Sequence, residues 1–354
     1  MKTVQVNHLL LLSFFLSIFA CKPATQLQVI KPAAINLPDH INALATIDRS
    51  KPSSGFVDVL EGGVTGESIH QDRNGRRRAL EVLTATLTRT PRFKVIDTGL
   101  EYTGSETGST FNTPLPWDEI EHICQKFGAD AVIAIEKFDS NNFRDVTSRK
   151  RKTKDKDGKE IEETVFDAKQ TVEVNLGWRI YDPSTKTIID EVDVTDSGSD
   201  SETGRKSDKE ARENLDDPRQ VTYRVSETAG RKYAERIAPI WITVSRRYYK
   251  KTKGSYQEAM AKAGRLFETD NWEGAVDIWQ NILSSADADV ELKGMASYNM
   301  AVACEKRGLL QAALDWAQKS YGEYGNKKGR NYVSTIRNRI QDQEILEQQL
   351  KQRT

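Results

Sequence analysis

The stretch PWDEIEHICQKFGADAVIAIEKFD, Pro116 to Asp139, decides the fold class. Pro116 suits a helix start, where its missing N–H is no loss, and Asp118 and Glu119 set acid against the positive end of the helix dipole. Ile120, Ile123 and Phe127 recur at helical spacing, and Gly128 is a stop. From Ala129 to Asp139 the apolar residues run on almost unbroken, as in a buried strand.

Outward from this unit the pattern continues. On the N-terminal side, RRRALEVLTATLTRTPRF carries Ala79, Leu80, Leu83 and Leu87 on one helical face, and Pro91 stops it. FKVID (Phe93 to Asp97) is a short strand, and INALATIDRS (Ile41 to Ser50) is another. QVIKPAAINLP is extended and broken by Pro32 and Pro38. Gly62 to Ser68, GGVTGES, is a flexible turn; it lacks the lysine of a phosphate loop.

On the C-terminal side, two hairpins are expected. VTSRKRKTKDKDGKEIEETVFD has Asp157-Gly158 at its tip, a two-residue turn signal. TVEVNLGWRIYDPSTKTIIDEVDV alternates, with Val172, Val174, Leu176, Trp178 and Ile180 on one side. SGSDSETGRKSDKEARENLDDP is polar and of low complexity, and reads as a mobile loop. QVTYRVSETAGRKYAERIAPIWITVSRRYYK reads as one long helix that Pro239 kinks or interrupts, with Val221, Val225, Ala229, Ile237, Trp241 and Val244 as its stripe.

From residue 254 the strand-type alternation ends and Ala-rich helices begin. AGRLFETDNWEGAVDIWQNIL and AVACEKRGLLQAALDWAQKSY superimpose at an offset of 38 residues, matching Ala263 with Ala301, Leu266 with Cys304, Trp272 with Leu310 and Ala275 with Ala313. Small residues at 263, 275, 301 and 313 let paired helices approach. Gly308 falls at the tight turn between them. The segment resembles tetratricopeptide repeats, whose period is about 34 residues, followed by a capping helix, RNYVSTIRNRIQDQEILEQQL. That resemblance implies a groove for peptides or partner helices. Trp279, Tyr298 and Asn299 are its candidate protein-binding residues.

The whole order predicts an α+β fold: a mixed-sheet domain with long hairpins over residues 29–250, then an all-α repeat domain over 254–354. The first domain resembles those of envelope lipoproteins such as the curli-secretion channel CsgG and the penicillin-binding-protein activators of the LpoB type. The resemblance rests on RRALEVLTATLTRTPRFKVID, EIEHICQKFGADAVIAIEKF and the hairpin with YDPSTKTIID. It lies at the level of fold, so function transfers weakly. A lipid-facing hairpin would alternate over roughly 10 residues per strand. Arg149 to Lys156 has no apolar residue, which argues against a pore.

The N-terminus is an address. Leu9 to Ala20 is apolar but shorter than the roughly 20 residues a span needs. Lys2 precedes it and Ala20-Cys21 follows. This resembles a bacterial lipoprotein signal over residues 1–20, which implies acylation of Cys21 and a tether over 21–28. Lys22, rather than aspartate, resembles outer-membrane sorting, and the absence of a following acidic run resembles a periplasm-facing anchor. The layout as a whole resembles Bacteroidota lipoproteins with an α/β domain and a repeat tail.

Lys plus Arg and Asp plus Glu are 52 each, so net charge gives no push toward nucleic acid. The run SRKRKTKDK makes Arg149, Lys150, Arg151 and Lys152 candidates for an anion. The competing reading is a solvated hairpin whose Glu160, Glu162 and Glu163 face those cations. No metal-ligand spacing, cofactor motif or nucleophile with an identifiable base is present in the sequence: His122-Ile123-Cys124 is too little for zinc. Cys124 and Cys304 read as buried thiols, though a disulfide between them is an alternative. These features point to a non-enzymatic envelope lipoprotein that binds envelope proteins through its helical tail, with self-association possible. The alternatives are a subunit of an export assembly and an enzyme on envelope polymers.

Overall fold

The computed structural model describes residues 23–52 and 69–350. The signal stretch, Cys21 and the Gly62–Ser68 turn lie outside them. The chain clusters into two compact units. Of the described residues, the α/β unit comprises 29–242 and 342–350, and the helical unit comprises 23–28 and Thr243–Gln341. The expected fold class, a mixed-sheet domain and an all-helical one, is the one adopted.

The α/β unit is built on strands β2 (Ala43–Lys51), β3 (Lys94–Thr103), β4 (Ala131–Lys154), β5 (Glu160–Asp182) and β6 (Thr187–Gly204), in the order β3-β2-β4-β5-β6. β2 pairs in parallel with β3 and β4, while β4, β5 and β6 form an antiparallel meander. Helices α1 (Ile69–Thr88) and α4 (Pro218–Ile237) cover one face. Leu83 and Leu87 of α1, Ile133 and Ile135 of β4 and Trp178 of β5 pack there, all fully buried. Each such side chain contributes about 1.5–3 kcal/mol. Trp178 stacks on Tyr233 of α4 with ring centroids 4.8 Å apart. Helix α2 (Trp117–Phe127) covers the other face, setting Ile120 and Ile123 on Ala45, Ile47, Val132 and Ala134. It ends at Gly128, as its sequence predicts.

Several expectations are corrected. The two hairpins share a strand, because β5 pairs with both β4 and β6. The tip is wider than a two-residue turn: Asp155 N still donates to Lys159 O at 2.9 Å, leaving 156–158 as the loop, and the Asp155 carboxylate accepts from Asp157 N and Lys159 N, both at 2.9 Å. The expected mobile loop is structured. Ser197–Gly204 are the second half of β6, and Asp208–Glu213 form a short helix, α3, capped by the Ser207 hydroxyl. An edge strand with few apolar residues lacks the alternation that marks a strand. Pro239 interrupts the expected long helix rather than kinking it, and Trp241 and Val244 belong to a strand, not to a helical stripe. α4 ends at Ile237, and Ile240–Arg247 form strand β7. Proline removes an N–H and pushes its predecessor out of helical geometry; Ile240, Ile242 and Val244 then alternate. Finally, β1 (Ala24–Lys31) begins inside the expected tether, and it pairs with β7 in a separate two-stranded sheet.

The helical unit holds α5 (Gln257–Glu268), α6 (Trp272–Ser284), α7 (Val290–Lys306), α8 (Leu310–Gly322) and most of α9 (Lys327–Leu350). The 38-residue offset holds in detail. Ala263, Ala275, Ala301 and Ala313 are all fully buried where helices meet. The α5–α6 turn has Asp270 at φ +58°, and the α7–α8 turn has Gly308 at φ +75°. Both turns need the left-handed region, which Gly and, less readily, Asp tolerate.

Candidate functional site

The densest polar cluster lies at the end of the sheet. In β4 the register slips between Ile135, opposite Trp178, and Lys137, opposite Gly177, so Glu136 is the extra residue of a bulge. The bulge turns its carboxylate inward, where it is wholly buried. Glu136 accepts from Arg49 Nη1 at 3.0 Å and from the Tyr181 hydroxyl, and Arg179 Nη1 lies 3.4 Å away. Burial, then the charge of Glu136, pushes the Tyr181 phenol up to about 12. The two guanidiniums reach on to the loop after β3. Arg49 Nη2 donates to Thr113 O at 2.5 Å and Arg179 Nη1 to Asn112 O at 2.7 Å, with Arg179 over the Phe111 ring at 4.8 Å. Arg179 also pairs with Glu191 at 2.5 Å. Every charge here is matched, so the cluster's chemistry is to fasten the 104–116 loop over the sheet end.

Gly177 makes room for that loop. A Cβ there would sit 2.7 Å from Phe111 Cζ and 2.6 Å from Lys137 Cγ. Gly177→Ala is expected to displace Phe111 and cost about 1–3 kcal/mol as an overpacked site. Urea unfolding would read the cost, and limited proteolysis would read a loosened loop.

A second cluster has the composition of a hydrolase triad but not its wiring. Asp182 Oδ2 and Ser184 Oγ lie 3.0 and 2.9 Å from the same nitrogen, His40 Nε2, and the Ser184 hydroxyl donates to Asp182 Oδ1 at 2.7 Å. A relay needs the acid on one ring nitrogen and the nucleophile on the other. Asp182 instead caps the β5–β6 turn, accepting also from Ser184 N and Thr185 Oγ1. Burial opposes its charge, but the bonds from Ser184, Thr185 and His40 outweigh that and hold its carboxyl below the usual range. A folded pKa below the unfolded one means a contribution that is full at neutral pH and lost as pH falls through the folded value, below about 4. Asp182→Asn is expected to lose that component, so the difference in stability from the natural chain shrinks on acidification from pH 7 to pH 3.

The sequence-predicted binding residues fall in the core. Trp279 is fully buried against Phe267, with ring centroids 5.5 Å apart. Tyr298 packs between Tyr249 and Tyr332. Asn299 is fully buried, and its amide closes the backbone of Tyr249, accepting from N and donating to O at 2.7 Å each. All three therefore hold the unit together and present no surface to a partner. In the basic run, Arg149 pairs with Asp167 at 2.5 Å and Lys150 with Glu162 at 3.6 Å. Arg151 faces Glu163 and Lys152 faces Glu162 across the ladder. The ribbon thus matches its cations with its own acids, which is the solvated-hairpin reading. Cys124 and Cys304 are free thiols; burial pushes Cys124 up to about 11. Among the described residues no group of His, Cys, Asp and Glu could hold a metal ion, and no helix is long and apolar enough to cross a membrane.

The residues missed from the sequence are Arg49, Glu136 and Arg179. The available signal was a charged pair inside each of three largely apolar strands: Asp48 and Arg49 in TIDRS, Glu136 and Lys137 in AIEKF, and Arg179 and Asp182 in GWRIYD.

A family model described as domain of unknown function DUF8603 matches residues 41–249. The chain belongs to this family. The DUF8603 match contains β2 through β7 and thus the Glu136 network. A second model, domain of unknown function DUF6340, matches residues 261–346. No curated protein matches the chain. Among solved structures, the PelC dodecamer from Paraburkholderia phytofirmans is 14% identical, covering 61% of this chain and 98% of that one, at a TM-score of 0.23. A neuraminyllactose-binding hemagglutinin homolog from Helicobacter pylori is 12% identical, covering 58% and 96%, at a TM-score of 0.25. Neither likeness bears on what this DUF8603 protein does.

The DUF6340 stretch has its own buried node. Glu305 of α7 accepts from Arg246 Nε and Nη2 at 2.8 and 2.9 Å, from Arg339 Nη1 at 3.2 Å and from the Tyr332 hydroxyl. Burial disfavours the Arg246 charge, but its bond to Glu305 outweighs that and raises its pKa.

Proposed function

We propose that this DUF8603 protein is a non-enzymatic lipoprotein of the cell envelope, anchored through Cys21 to the outer membrane and facing the periplasm, that acts as an adaptor or regulator by binding envelope proteins through its helical tail. The observation that carries this reading is the repeated helical hairpin, whose second copy keeps large apolar side chains in solvent: Val290 61%, Leu309 54% and Tyr321 42% exposed. Single exposed apolar residues are ordinary. Three on one hairpin, beside a core that is otherwise closed, are the natural contacts for a partner helix or peptide. The anchor rests on the signal layout, Leu9 to Cys21.

The test is in-cell crosslinking and capture with the full chain, compared with Val290→Glu/Tyr321→Glu. Deleting residues 254–354 would be a poorer test, since it also removes Gln349, whose amide closes both backbone groups of Ala33 within the α/β unit. Distinct partners should be lost from the double variant while its circular dichroism is unchanged. Recovery of the same partners would sink the reading.

Self-association as part of an export assembly is the second reading. It is favoured by β6, the terminal 18-residue strand of the sheet, whose outer edge carries the backbone groups of alternate residues. Particle mass in mild detergent separates the two: a large closed ring supports assembly, a monomer the adaptor.

A further inference from the structure

A cleft of about 280 Å³ opens between α1 and the β3 edge of the α/β unit. It is distinct from the Glu136 network, which lies with Tyr181 and Arg49 toward the α2 face. One wall is a single stripe of α1: Arg73, Arg77, Leu80 and Glu81. The other is β3, where the pairing with β2 jumps from Thr46–Asp97 to Ile47–Leu100. Thr98 and Gly99 are the bulge. Thr98 Oγ1 donates to Thr46 O at 2.6 Å, and Asp97 Oδ1 accepts from Gly99 N at 3.1 Å. Bulges re-aim side chains and recur beside binding sites. This one sets Asp97 and Glu101 on the cleft wall, either side of Leu100.

The helix wall carries Arg73, Arg77 and Glu81, net +1, and the sheet wall Asp97 and Glu101, net −2; among the described residues no ion pair joins the two walls. Arg77 pairs with Glu81 on its own helix, at 3.0 Å. Asp48, at the cleft floor, is taken by Arg76 at 2.9 Å. Among the described residues Arg73 and Glu101 make no ion pair. Leu80, half-buried, supplies an apolar patch on the helix wall, while Leu100 turns with Ile47 to the α2 face.

We propose that this cleft binds a small zwitterion with an apolar side chain, a free amino acid or a dipeptide. Its carboxylate lies on Arg73 and Arg77, its ammonium on Asp97 and Glu101, and its side chain on Leu80. The size decides against a polymer, because pockets for drug-sized ligands begin at about 300 Å³. The mixed charge decides against a simple anion, which the sheet wall would repel, and a simple cation, which the helix wall would repel. The site is independent of the adaptor reading and would stand or fall without it.

The test is isothermal titration of the full chain with alanyl-leucine, with its N-acetylated form and with its C-terminal amide. Saturable binding of the zwitterion is expected, weakened about tenfold or more by blocking either end. Glu101→Gln should weaken alanyl-leucine and leave the acetylated form unchanged; Arg73→Gln should weaken alanyl-leucine and leave the amide unchanged. Both residues are exposed, so folding is not at stake, and circular dichroism checks it. No saturable heat up to about 10 mM would overturn the proposal, since that is weaker than about 3 kcal/mol of binding. Equal affinity for the blocked forms, or no effect of either substitution on the zwitterion, would overturn it too.

Discussion

Glu136→Ala should destabilise the α/β unit by about 3–5 kcal/mol, because it strands the Arg49 guanidinium in a closed site and leaves Arg179 with Glu191 as its remaining carboxylate. Arg49 and Arg179 are each about one-twentieth exposed, too little for water to replace the lost carboxylate. Tyr181 loses its acceptor as well. The loss is not confined to the network. Arg49 and Arg179 hold Thr113 and Asn112, so the 104–116 loop should open in the same variant. Urea unfolding gives the magnitude, and hydrogen exchange of the β4 and β5 amides places it in this unit. Replacing all three charged residues together, as Arg49→Met, Glu136→Leu and Arg179→Met, should recover much of the loss, since an apolar substitute spares the cost of desolvating ions. A cost below about 1 kcal/mol for Glu136→Ala would mean that water reaches the site and that the network contributes little.

The apolar scaffold was legible where one face is buried. Ala79, Leu83 and Leu87, Ile120 and Ile123, and Val172, Val174, Leu176, Trp178 and Ile180 follow from period alone, and all are buried. The sequence was silent where a residue answers to a partner rather than to a period. Glu136 sits in a run that reads as plain strand, and only the register slip against β5 makes it the bulged residue. Ser197–Gly204 is strand because β5 offers it a ladder, not through any alternation of its own. Tyr298 and Asn299 looked like a groove because a polar or amphipathic residue on a helix usually faces out. In the folded chain Asn299 instead meets the otherwise unpaired backbone of Tyr249, a need that belongs to a segment 50 residues away. The cleft between α1 and β3 was illegible for the same reason: Arg73 and Glu101 become neighbours of one space only once β3 bulges.

Glu305→Ala is the corresponding experiment in the helical unit, and the ranking around it is sharp. Glu305 is nearly fully buried on α7 and joins β7, through Arg246, to α9, through Tyr332 and Arg339. Removing it leaves the half-buried Arg246 without its bidentate partner and the buried Tyr332 hydroxyl without its acceptor, and should cost about 3 kcal/mol. Tyr332→Phe removes one donor but leaves the carboxylate its guanidiniums, so about 1–3 kcal/mol is expected. The Arg339 side chain is 21% exposed and its contact is longer, so Arg339→Ala should cost about 1 kcal/mol or less. Thermal unfolding of the three variants would test the order, and Arg339→Ala costing as much as Glu305→Ala would contradict it. The series also bears on partner binding. Val290 opens α7 and Glu305 closes it, so a partner that needs the hairpin's shape should be lost in Glu305→Ala together with stability. In Val290→Glu/Tyr321→Glu the same partner should be lost with stability intact. If the destabilised variant still captures partners that the surface variant loses, the contact is a short linear patch rather than a helical groove.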